Sequence, residues 1–330
     1  MCTAIFFKSS EGRHFLGRTL DFPFLPDCGL ISVPAGAAIP AMDGHPICTQ
    51  YAFMGMACTE TMGIMADGVN EHGLGGAIQY IRDGAEYQAR SASGENISAM
   101  ELLPCLLGRC RDVQEVIAAL GQIRVVDQVD PLFRAVSPVH HMFADRTGAC
   151  IVVEYTRDGP DIIENPVGVM TNNPRFRWHL TNLKMQSGTV PYSLYETKGP
   201  LKMSIRSKSI TAKPIPQPGD YSSPSRFIRG ASLTGMIDGR FPVQEAAVAG
   251  IHVLEELSVA RGTYFLNGEE QYTRYIALLP LEDPGYLFKT YYNMNLRQVK
   301  LCNVSSAKGP VLLSKIDQTI SIEQLYEGGL

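Results

Sequence analysis

The sequence predicts an α+β fold in which mainly antiparallel sheets carry helices on their outer faces. The predicted elements run in the order strands, two helices, strands, helices and strands. No β-α-β alternation with a glycine-rich phosphate loop occurs, which argues against a doubly wound nucleotide-binding fold. The chain has 330 residues, 45% of them apolar and 19% charged, enough to build a sizeable core. We therefore expect a single domain over residues 1–330.

The opening stretch of the chain predicts a β-hairpin. Two runs rich in strand-forming residues flank the turn cluster Ser9-Ser-Glu-Gly12. A register that pairs Lys8 with Arg13 places Cys2 opposite Thr19. The second strand then ends beside the first residues of the chain.

Cys2 directly follows the initiator methionine, and its small side chain favours removal of Met1 by an aminopeptidase. That cut leaves one residue with both a thiol and a free α-amine, whose pKa values are about 8.5 and about 7.7–8.0. Both values lie near working pH, where a general base is most effective. An N-terminal amine that activates its own side chain is a known nucleophile–base pair. Cys2 is therefore a candidate nucleophile.

Arg18 and Asp21 lie close to Cys2 in the predicted hairpin. Positions 18 and 21 face opposite ways on a regular strand, so we expect the chain to bend out at Asp21. The competing interpretation is an inert cysteine beside a surface ion pair, and the hairpin alone leaves it open.

The remaining strands follow from apolar runs bounded by glycine and proline. They are predicted at residues 30–34, 51–58, 63–66, 73–80, 138–155 (a hairpin with its turn at 145–148), 167–170, 271–279, 286–292 and 297–302. Asn70 stands in turn chemistry after Asp67-Gly68, and we interpret it as structural. Residues 188–223 are rich in proline, serine and lysine and lack periodicity, as is typical of a functional or assembly-related segment.

Helices are predicted where capping signals precede apolar periodicity. Ser98-x-x-Glu101 and Asp112-x-x-Glu115 have capping-box spacing, and Pro104 should kink the first of these helices. Further helices are predicted at residues 175–187, from Ser223-Pro224 onwards, and at residues 243–254.

Arg226 falls at the third position of the helix that starts at Pro224. The helix dipole disfavours a cation there, so a partner or a function should hold the guanidinium in place. An exposed arginine with its head in water is the alternative.

Composition excludes several classes of function. A net charge of −4 argues against a nucleic-acid surface. No apolar run approaches the roughly 20 residues of a membrane span, and the run before Lys8 is too short for a signal peptide, so we expect a cytoplasmic protein. The eight cysteines show no C-x-x-C spacing and the histidines no H-E-x-x-H motif, so we expect no metal and no cofactor.

Short stretches spread along the chain occur in the order of one known family. They are Met1-Cys-Thr, Gly17-Arg-Thr-Leu-Asp-Phe22, Tyr51-Ala-Phe-Met-Gly-Met56, Asp67-Gly-Val-Asn-Glu-His-Gly-Leu74, Gly168-Val-Met-Thr-Asn-Asn-Pro174, Trp178-His-Leu-Thr-Asn-Leu183 and Pro224-Ser-Arg-Phe-Ile-Arg229. With them the chain resembles the choloylglycine hydrolase family, which includes conjugated bile salt hydrolases and penicillin V acylases. The resemblance implies an N-terminal-nucleophile hydrolase with a four-layer αββα sandwich and a small-molecule amide substrate.

The resemblance also implies roles for individual residues. Cys2 would supply the thiol nucleophile and its own amine the base. Arg18 would lie beside the thiol, where a guanidinium favours the thiolate. Asp21 would hold the α-amine, and Asn172 would donate its side-chain amide to the developing oxyanion. Arg226 completes the catalytic set.

Tyr80 is the position that bears on substrate class. It stands ten residues after Asn70, where bile salt hydrolases typically carry asparagine and penicillin V acylases tyrosine. We therefore expect a penicillin V acylase-like amidase with Tyr80 as a substrate-binding residue. A conjugated bile salt hydrolase, an N-acyl homoserine lactone acylase and an inactive amide-binding relative remain alternatives, and Tyr80 could equally be a packed strand aromatic.

The chain departs from the family before the Ser-Arg-Phe helix. Only Pro218-Gly-Asp220 remains of a glycine-rich run that ends in Leu-Pro-Gly-Asp in many members. That region takes part in assembly in the family. We expect a homo-oligomer, with tetramer and dimer both open.

Overall fold

The protein is described by a computed structural model. It covers residues 1–24, 27–61, 63–82, 84–92, 94–187, 218–301, 308–316, 319–320 and 322. Most of the segment 188–223, interpreted above as assembly-related, therefore lies outside the described residues, as does the end of the strand predicted at 297–302.

The strands are, in chain order, β1 (Cys2–Lys8), β2 (His14–Phe22), β3 (Cys28–Val33), β4 (Ala38–Ile39), β5 (Ile47–Cys48), β6 (Phe53–Cys58), β7 (Met65–Asn70), β8 (Leu74–Tyr80), β9 (Glu95–Ser98), β10 (Ile123–Val126), β11 (Val129–Asp130), β12 (Ala135–Val136), β13 (Val139–Asp145), β14 (Cys150–Thr156), β15 (Gly159–Glu164), β16 (Val169–Met170), β17 (Phe265–Leu266), β18 (Glu269–Glu270), β19 (Tyr272–Pro280), β20 (Gly285–Thr290), β21 (Arg297–Lys300) and β22 (Val311–Lys315). The helices are α1 (Leu102–Leu107), α2 (Val113–Leu120), α3 (Phe176–Ser187), α4 (Ser223–Ile237) and α5 (Val243–Glu256).

Two large sheets form the centre of the molecule, and both are antiparallel throughout. One has six strands in the order β16-β1-β2-β19-β20-β21 and the other eight in the order β15-β14-β13-β8-β7-β6-β3-β22. The sheets face each other, with β1 and β2 against β8 and β20 against β6 and β7. Helices α1 and α2 cover the larger sheet, and α4 and α5 cover the smaller one. The predicted four-layer αββα sandwich is confirmed.

Burial on both faces explains why the central strands read as nearly continuous apolar runs. On β6, Met54 and Met56 lie in the core between the sheets, while Phe53 and Ala57 lie in the core under α1 and α2. Side chains alternate between faces along a strand, so each central strand supplies both cores. Complete burial of one such side chain contributes about 1.5–3 kcal/mol.

The helix starts agree with the sequence in one case and disagree in another. Asp112 caps α2 by accepting from the Glu115 main-chain N–H at 2.9 Å, as its spacing predicts. The capping box assigned to Ser98 is wrong, because Ser98 ends β9, which pairs in parallel with β10. Helix α1 starts at Leu102 without a side-chain cap. Pro104 then falls in its first turn, where its missing main-chain N–H costs no intrahelical hydrogen bond.

The start of α4 differs from the prediction by one residue. Ser222, rather than Ser223, is the N-cap residue and accepts from the Ser225 main-chain N–H. Arg226 is consequently the fourth residue of the helix.

Candidate active site

The register of the N-terminal hairpin decides which side chains share a face with Cys2. The structure pairs Cys2 with Leu20, Ala4 with Arg18 and Lys8 with His14. The predicted pairing of Cys2 with Thr19 is wrong by one residue. Cys2 and Arg18 therefore both point between the two sheets, because residues on one face of a hairpin alternate in step.

The correction of the register has a local cause at the turn. The Ser9 main-chain N–H donates to the Arg13 carbonyl, and the Ser9 hydroxyl accepts from the N–H groups of Glu11 and Arg13. These bonds draw Arg13 into the loop, and Gly12 takes the left-handed backbone conformation there at φ 76°. The loop is one residue longer than predicted, which shifts every pair.

Asp21 lies on the opposite face of the hairpin, towards α4. Its carboxylate accepts from Thr273 Oγ1 at 2.6 Å and from Thr19 Oγ1 at 3.3 Å. The predicted bend lies in the partner strand, where β19 shifts register between Thr273 and Tyr275. Arg18 and Asp21 thus approach the N-terminal residues from different sides of the hairpin.

Arg18 is fully buried and held by a carboxylate that the sequence did not single out. Its Nη1 donates to the Ala66 carbonyl at 2.8 Å and lies 3.4 Å from Asp67 Oδ2. Asp67 also accepts from the hydroxyls of Tyr275, at 2.5 Å, and Tyr286. Arg18 Nη2 has no hydrogen-bond partner among the described residues. One side of the guanidinium is therefore fixed, and the other carries a donor that remains to be satisfied.

The electrostatics of this cluster keep Arg18 charged. Burial acts to lower the pKa of Arg18, but the negative charges that Tyr275, Cys2 and Asp67 can carry outweigh it and raise the pKa above its usual range. Burial raises the pKa of Asp67, opposed by Arg18 and the two tyrosine hydroxyls. A permanent cation in a low-dielectric site favours the thiolate of a neighbouring cysteine.

Arg226 binds the main chain of Cys2. Its Nη1 donates to the Cys2 carbonyl and to Thr3 Oγ1, both at 2.5 Å, and its Nη2 donates to Asn172 Oδ1 at 2.8 Å. Its Nε donates to the Tyr221 carbonyl at 3.0 Å. The guanidinium has no exposed surface, and burial lowers its pKa. The expectation that a partner holds this cation near a helix start is confirmed.

Asn172 forms hydrogen bonds to both Cys2 and Tyr80. Its Oδ1 accepts from the Cys2 main-chain N–H at 2.8 Å, and its Nδ2 donates to the Tyr80 carbonyl at 2.7 Å. Its own N–H donates to Ser223 Oγ at 2.9 Å. The side-chain amide is therefore oriented at both ends, next to Cys2.

Cys2 and Tyr80 line the same cavity, which is partly open to solvent and has about 730 Å³ of empty space when the solvent at its mouth is included. Its lining is almost entirely apolar and includes Leu20, Phe22, Phe24, Met56, Ile64, Ile78, Met100, Leu132, Phe133 and Val139. Phe22 packs edge to face against Phe24 and Phe133, whose rings are tilted to each other, with ring centroids 5.2–5.9 Å apart in the three pairs. Tyr80 is half-buried, and burial raises the pKa of its hydroxyl.

Met1 is still attached to Cys2 in this structure. Its α-amine donates to the Asp21 carbonyl at 2.6 Å, and its carbonyl accepts from the Asp21 N–H at 3.0 Å. Burial lowers the pKa of this amine. The nitrogen of Cys2 is therefore an amide here and cannot act as a base.

His179 supports Asn172 from behind. Its Nε2 donates to the Asn172 carbonyl at 3.0 Å, its ring stacks on Phe227, and its Nδ1 has no partner among the described residues. Burial lowers the pKa of His179 to about 4, and likewise lowers the pKa of His141, which accepts from the Tyr155 hydroxyl, to about 3. Both histidines are neutral in the folded chain.

The free energy of unfolding should fall as the pH drops from about 6.5 towards 4. Unfolded histidine has a pKa of about 6.5, so below that pH the unfolded chain binds protons that the folded chain refuses. The stabilisation is present above this range and lost through it. His179→Gln can still donate a hydrogen bond but cannot titrate. We expect its free energy of unfolding, measured in urea at pH 7, 5.5 and 4.5, to fall less steeply with decreasing pH than that of the wild type. Identical slopes for both proteins would remove His179 from the acid response.

The sequence indicates the role of Asn70 but not that of Asp67. Asn70 is structural as interpreted: its Nδ2 donates to the carbonyls of Leu107 and Cys110, and its Oδ1 accepts from His72 and Leu74. Asp67 was missed, although it opens one of the family-like stretches. A carboxylate inside an otherwise apolar strand pair is the signal that could have identified it.

The described residues contain neither a metal-binding cluster nor a membrane-spanning helix. No group of three or more His, Cys, Asp or Glu side chains in that part of the chain is arranged to hold a metal ion. Among the same residues, no helix has the length and apolar character needed to cross a membrane.

Comparison with known proteins places these features in a family. A sequence profile described as "Linear amide C-N hydrolases, choloylglycine hydrolase family" matches residues 2–306. The chain is 27% identical to the bile salt hydrolase/transferase of Clostridium perfringens, covering 98% of this chain and 100% of that one. It is 29% identical to the bile salt hydrolase/transferase of Lactiplantibacillus plantarum, covering 91% and 92%.

Solved structures show the same fold. A crystal structure of a conjugated bile acid hydrolase variant from Clostridium perfringens superposes with a TM-score of 0.81 at 26% identity, covering 98% of this chain and 100% of that one. The penicillin V acylase from Agrobacterium tumefaciens matches with a TM-score of 0.71 at 17% identity, covering 93% of this chain and 87% of that one. At that identity the match shows only that the fold is shared. The chain is therefore an amidohydrolase that belongs to the choloylglycine hydrolase family of linear amide C–N hydrolases.

Proposed function

We propose that the chain cleaves a linear amide by way of a thioester on Cys2, after Met1 has been removed. The observation that carries the proposal is the placement of Cys2 on the wall of an apolar cavity, with Arg18 on the same face of the hairpin. The acyl group of the substrate would lie in the cavity, and the scissile carbonyl would lie over the thiol.

The proposed reaction uses the two groups of Cys2 in sequence. The thiol proton passes to the α-amine, and the sulfur attacks the amide carbonyl to form a tetrahedral oxyanion. The ammonium then protonates the leaving nitrogen, the C–N bond breaks, and a thioester remains. Water, activated by the amine, attacks the thioester and releases the carboxylic acid. Two manageable steps replace one difficult hydrolysis.

Three neighbours would support these steps. Arg18 would stabilise the thiolate from one side. Its Nη2, which has no hydrogen-bond partner among the described residues, would donate to the sulfur. Asp21 would hold the protonated amine from the other face of the hairpin. Asn172 Nδ2 has two hydrogens, of which the Tyr80 carbonyl takes one, so the second can go to the oxyanion. One oxyanion donor contributes about 3 kcal/mol to lowering the barrier.

The surroundings of the N-terminus would tune the amine as a base. Burial already lowers the pKa of the amine of Met1 at this position. The amine of Cys2 lies one residue deeper and would experience the same desolvation, which favours the neutral form. A neutral amine near pH 7 is able to accept the thiol proton.

For the acyl group we propose a preference for phenoxyacetyl amides, as in penicillin V. Tyr80 lines the cavity together with Phe22, Phe24 and Phe133, so a flat aromatic group would meet ring surfaces on several sides. Aromatic pairs contribute about 0.5–1.5 kcal/mol beyond the burial of area. This corresponds to at most roughly tenfold in rate or affinity, which biases the choice of substrate without excluding others.

Replacing Tyr80 should change the ratio of two activities. We expect penicillin V to be cleaved with a higher kcat/KM than glycocholate, and Tyr80→Asn to narrow or reverse that ratio by up to about tenfold. Tyr80→Phe keeps the ring and should leave the ratio nearly unchanged, which separates stacking from hydrogen bonding. A wild-type preference for glycocholate, or an unchanged ratio in Tyr80→Asn, would contradict this role of Tyr80.

Conjugated bile salts are the second candidate substrate class. The relatives that are 27–29% identical over nearly the whole chain are described as bile salt hydrolase/transferases, and an apolar cavity open to solvent also suits the hydrophobic body of a steroid. A panel of penicillin V, glycocholate, taurocholate and long-chain acyl homoserine lactones distinguishes the classes. Binding without turnover of any member would instead indicate an inactive amide-binding relative.

A further inference from the structure

Two more cysteines line the cavity that contains Cys2. Cys28 starts β3 and Cys58 ends β6, and the two residues are direct partners in the antiparallel ladder. Both are free thiols that face the cavity. Their neighbours Leu30 and Met56, the next pair on the same face, lie in the core between the sheets, so both cysteines point to that side.

The hydrogen bonds around this pair fix how close the two residues are. The Cys28 carbonyl accepts from Ile316, the Cys58 N–H donates to Ile64, and the Thr59 N–H donates to Asp27. Cys28 and Cys58 therefore form a pair that exchanges no main-chain hydrogen bonds with each other. In such pairs the Cα atoms are about 4.5 Å apart and the side chains are at their closest. Disulfides span Cα separations of about 4.4–6.8 Å, so the pair can be bridged within the existing ladder.

We propose that Cys28 and Cys58 form a dithiol site in the wall of the cavity, which small disulfides convert to an intramolecular disulfide. One cysteine attacks the small disulfide, forms a mixed disulfide and releases one small thiol. The second cysteine attacks the mixed disulfide at the protein sulfur and releases the other small thiol. Two protein thiols are oxidised, one small disulfide is reduced to two thiols, and both protons pass to the released thiols.

The surroundings of the site determine which sulfur reacts first and how fast. Cys28 is partly exposed whereas Cys58 is buried, so a reagent would meet Cys28 first. Burial, followed by the neighbouring Cys58, raises the pKa of Cys28 to about 12. The thiol is therefore protonated at neutral pH, and exchange should accelerate as the pH rises.

Closure of the dithiol site would join two segments that shape the cavity. The chain before Cys28 carries Phe22 and Phe24, and the chain after Cys58 leads to Ile64; all three line the cavity. A covalent bond between the two segments would restrict their relative movement beside the catalytic thiol. The site would thus couple the redox state of the chain to the shape of its substrate cavity.

The test uses the full chain with Cys2→Ala, which removes the third thiol of the cavity and keeps both partners. It is treated with oxidised glutathione at about pH 9, where the thiolate fraction of a cysteine rises. We expect loss of two thiols at these positions and a Cys28–Cys58 cross-linked peptide about 2 Da lighter than its two component peptides together, both reversed by dithiothreitol. Separate glutathione adducts on the two cysteines, or two unmodified thiols after Cys48 has reacted, would overturn the proposal.

Matched variants and a second probe complete the experiment. Cys28→Ser should accumulate no cross-link, whereas Cys48→Ser, which removes an exposed cysteine on β5, should cross-link as before. Phenylarsine oxide joins two adjacent thiols with release of one water and needs no oxidant. It should bind once per chain in the Cys2→Ala and Cys2→Ala/Cys48→Ser proteins and not in Cys2→Ala/Cys28→Ser. Equal binding by all three proteins would contradict a Cys28–Cys58 site.

Discussion

Replacing Cys2 with alanine should abolish amide hydrolysis and leave the fold intact. The substitution removes only the sulfur from a side chain that lines the cavity and is 4% exposed. Loss of a covalent nucleophile costs on the order of 10⁴–10⁶-fold in kcat. The stability cost should be about 1 kcal/mol, because little packing volume is lost. Turnover of penicillin V and glycocholate, with unfolding in urea alongside, measures both quantities.

Cys150→Ala is a matched control for this experiment. Cys150 is also a buried cysteine, but it packs in the core on β14 and does not line the cavity. We expect a similar or larger loss of stability with nearly unchanged turnover. Substantial hydrolysis by Cys2→Ala, well above that of a mock preparation, would refute the thiol mechanism.

Replacing Arg226 with alanine should lower both catalysis and stability. The guanidinium donates to Cys2, Thr3, Asn172 and Tyr221, and each of these acceptors would lose a charged donor. Asn172 Oδ1 would keep its bond from the Cys2 N–H. Hydrogen bonds to charged groups contribute about 1.5–3 kcal/mol each, so a stability loss of a few kcal/mol is expected. Loss of the constraint on Cys2 and Asn172 should lower kcat/KM by roughly 10²–10³-fold, because catalysis depends on their geometry.

The neighbouring Arg229 provides the comparison that separates the two effects. It lies on the same helix and donates to the carbonyls of Pro218 and Asp220, without contact to Cys2 or Asn172. Arg229→Ala should lose stability with little loss of kcat/KM per folded molecule. Equal losses of kcat/KM in both variants, after correction for the folded fraction, would make Arg226 a structural residue only.

The hairpin that carries Cys2 could be predicted because its signals are local. Alternating strand formers around a turn cluster identify two paired strands without any knowledge of the rest of the chain. The register could not be predicted, because the Ser9 hydroxyl binds two N–H groups and draws Arg13 into the loop. One residue of loop length reverses which face Cys2 shares with its neighbours.

The contact between Arg18 and Asp67 could not be predicted from the sequence either, and the reason is different. Asp67 accepts hydrogen bonds from the hydroxyls of Tyr275 and Tyr286, which lie more than 200 positions away along the chain. Each tyrosine stands in an apolar strand where an aromatic residue is expected for packing alone. Only the stacking of the two sheets brings the carboxylate, the hydroxyls and the guanidinium together. Tertiary pairing likewise overrode the capping signal at Ser98.

The central claim is that the amine of Cys2 must be free for its thiol to react. In the structure, with Met1 attached, the nitrogen of Cys2 is an amide that donates to Asn172. The most direct test places a removable segment before Cys2 and follows turnover and intact mass together during its cleavage. The account predicts no turnover while any residue precedes Cys2, and full turnover, with an acyl adduct on Cys2 after rapid quenching, once it is removed. The same kcat/KM before and after cleavage would contradict it.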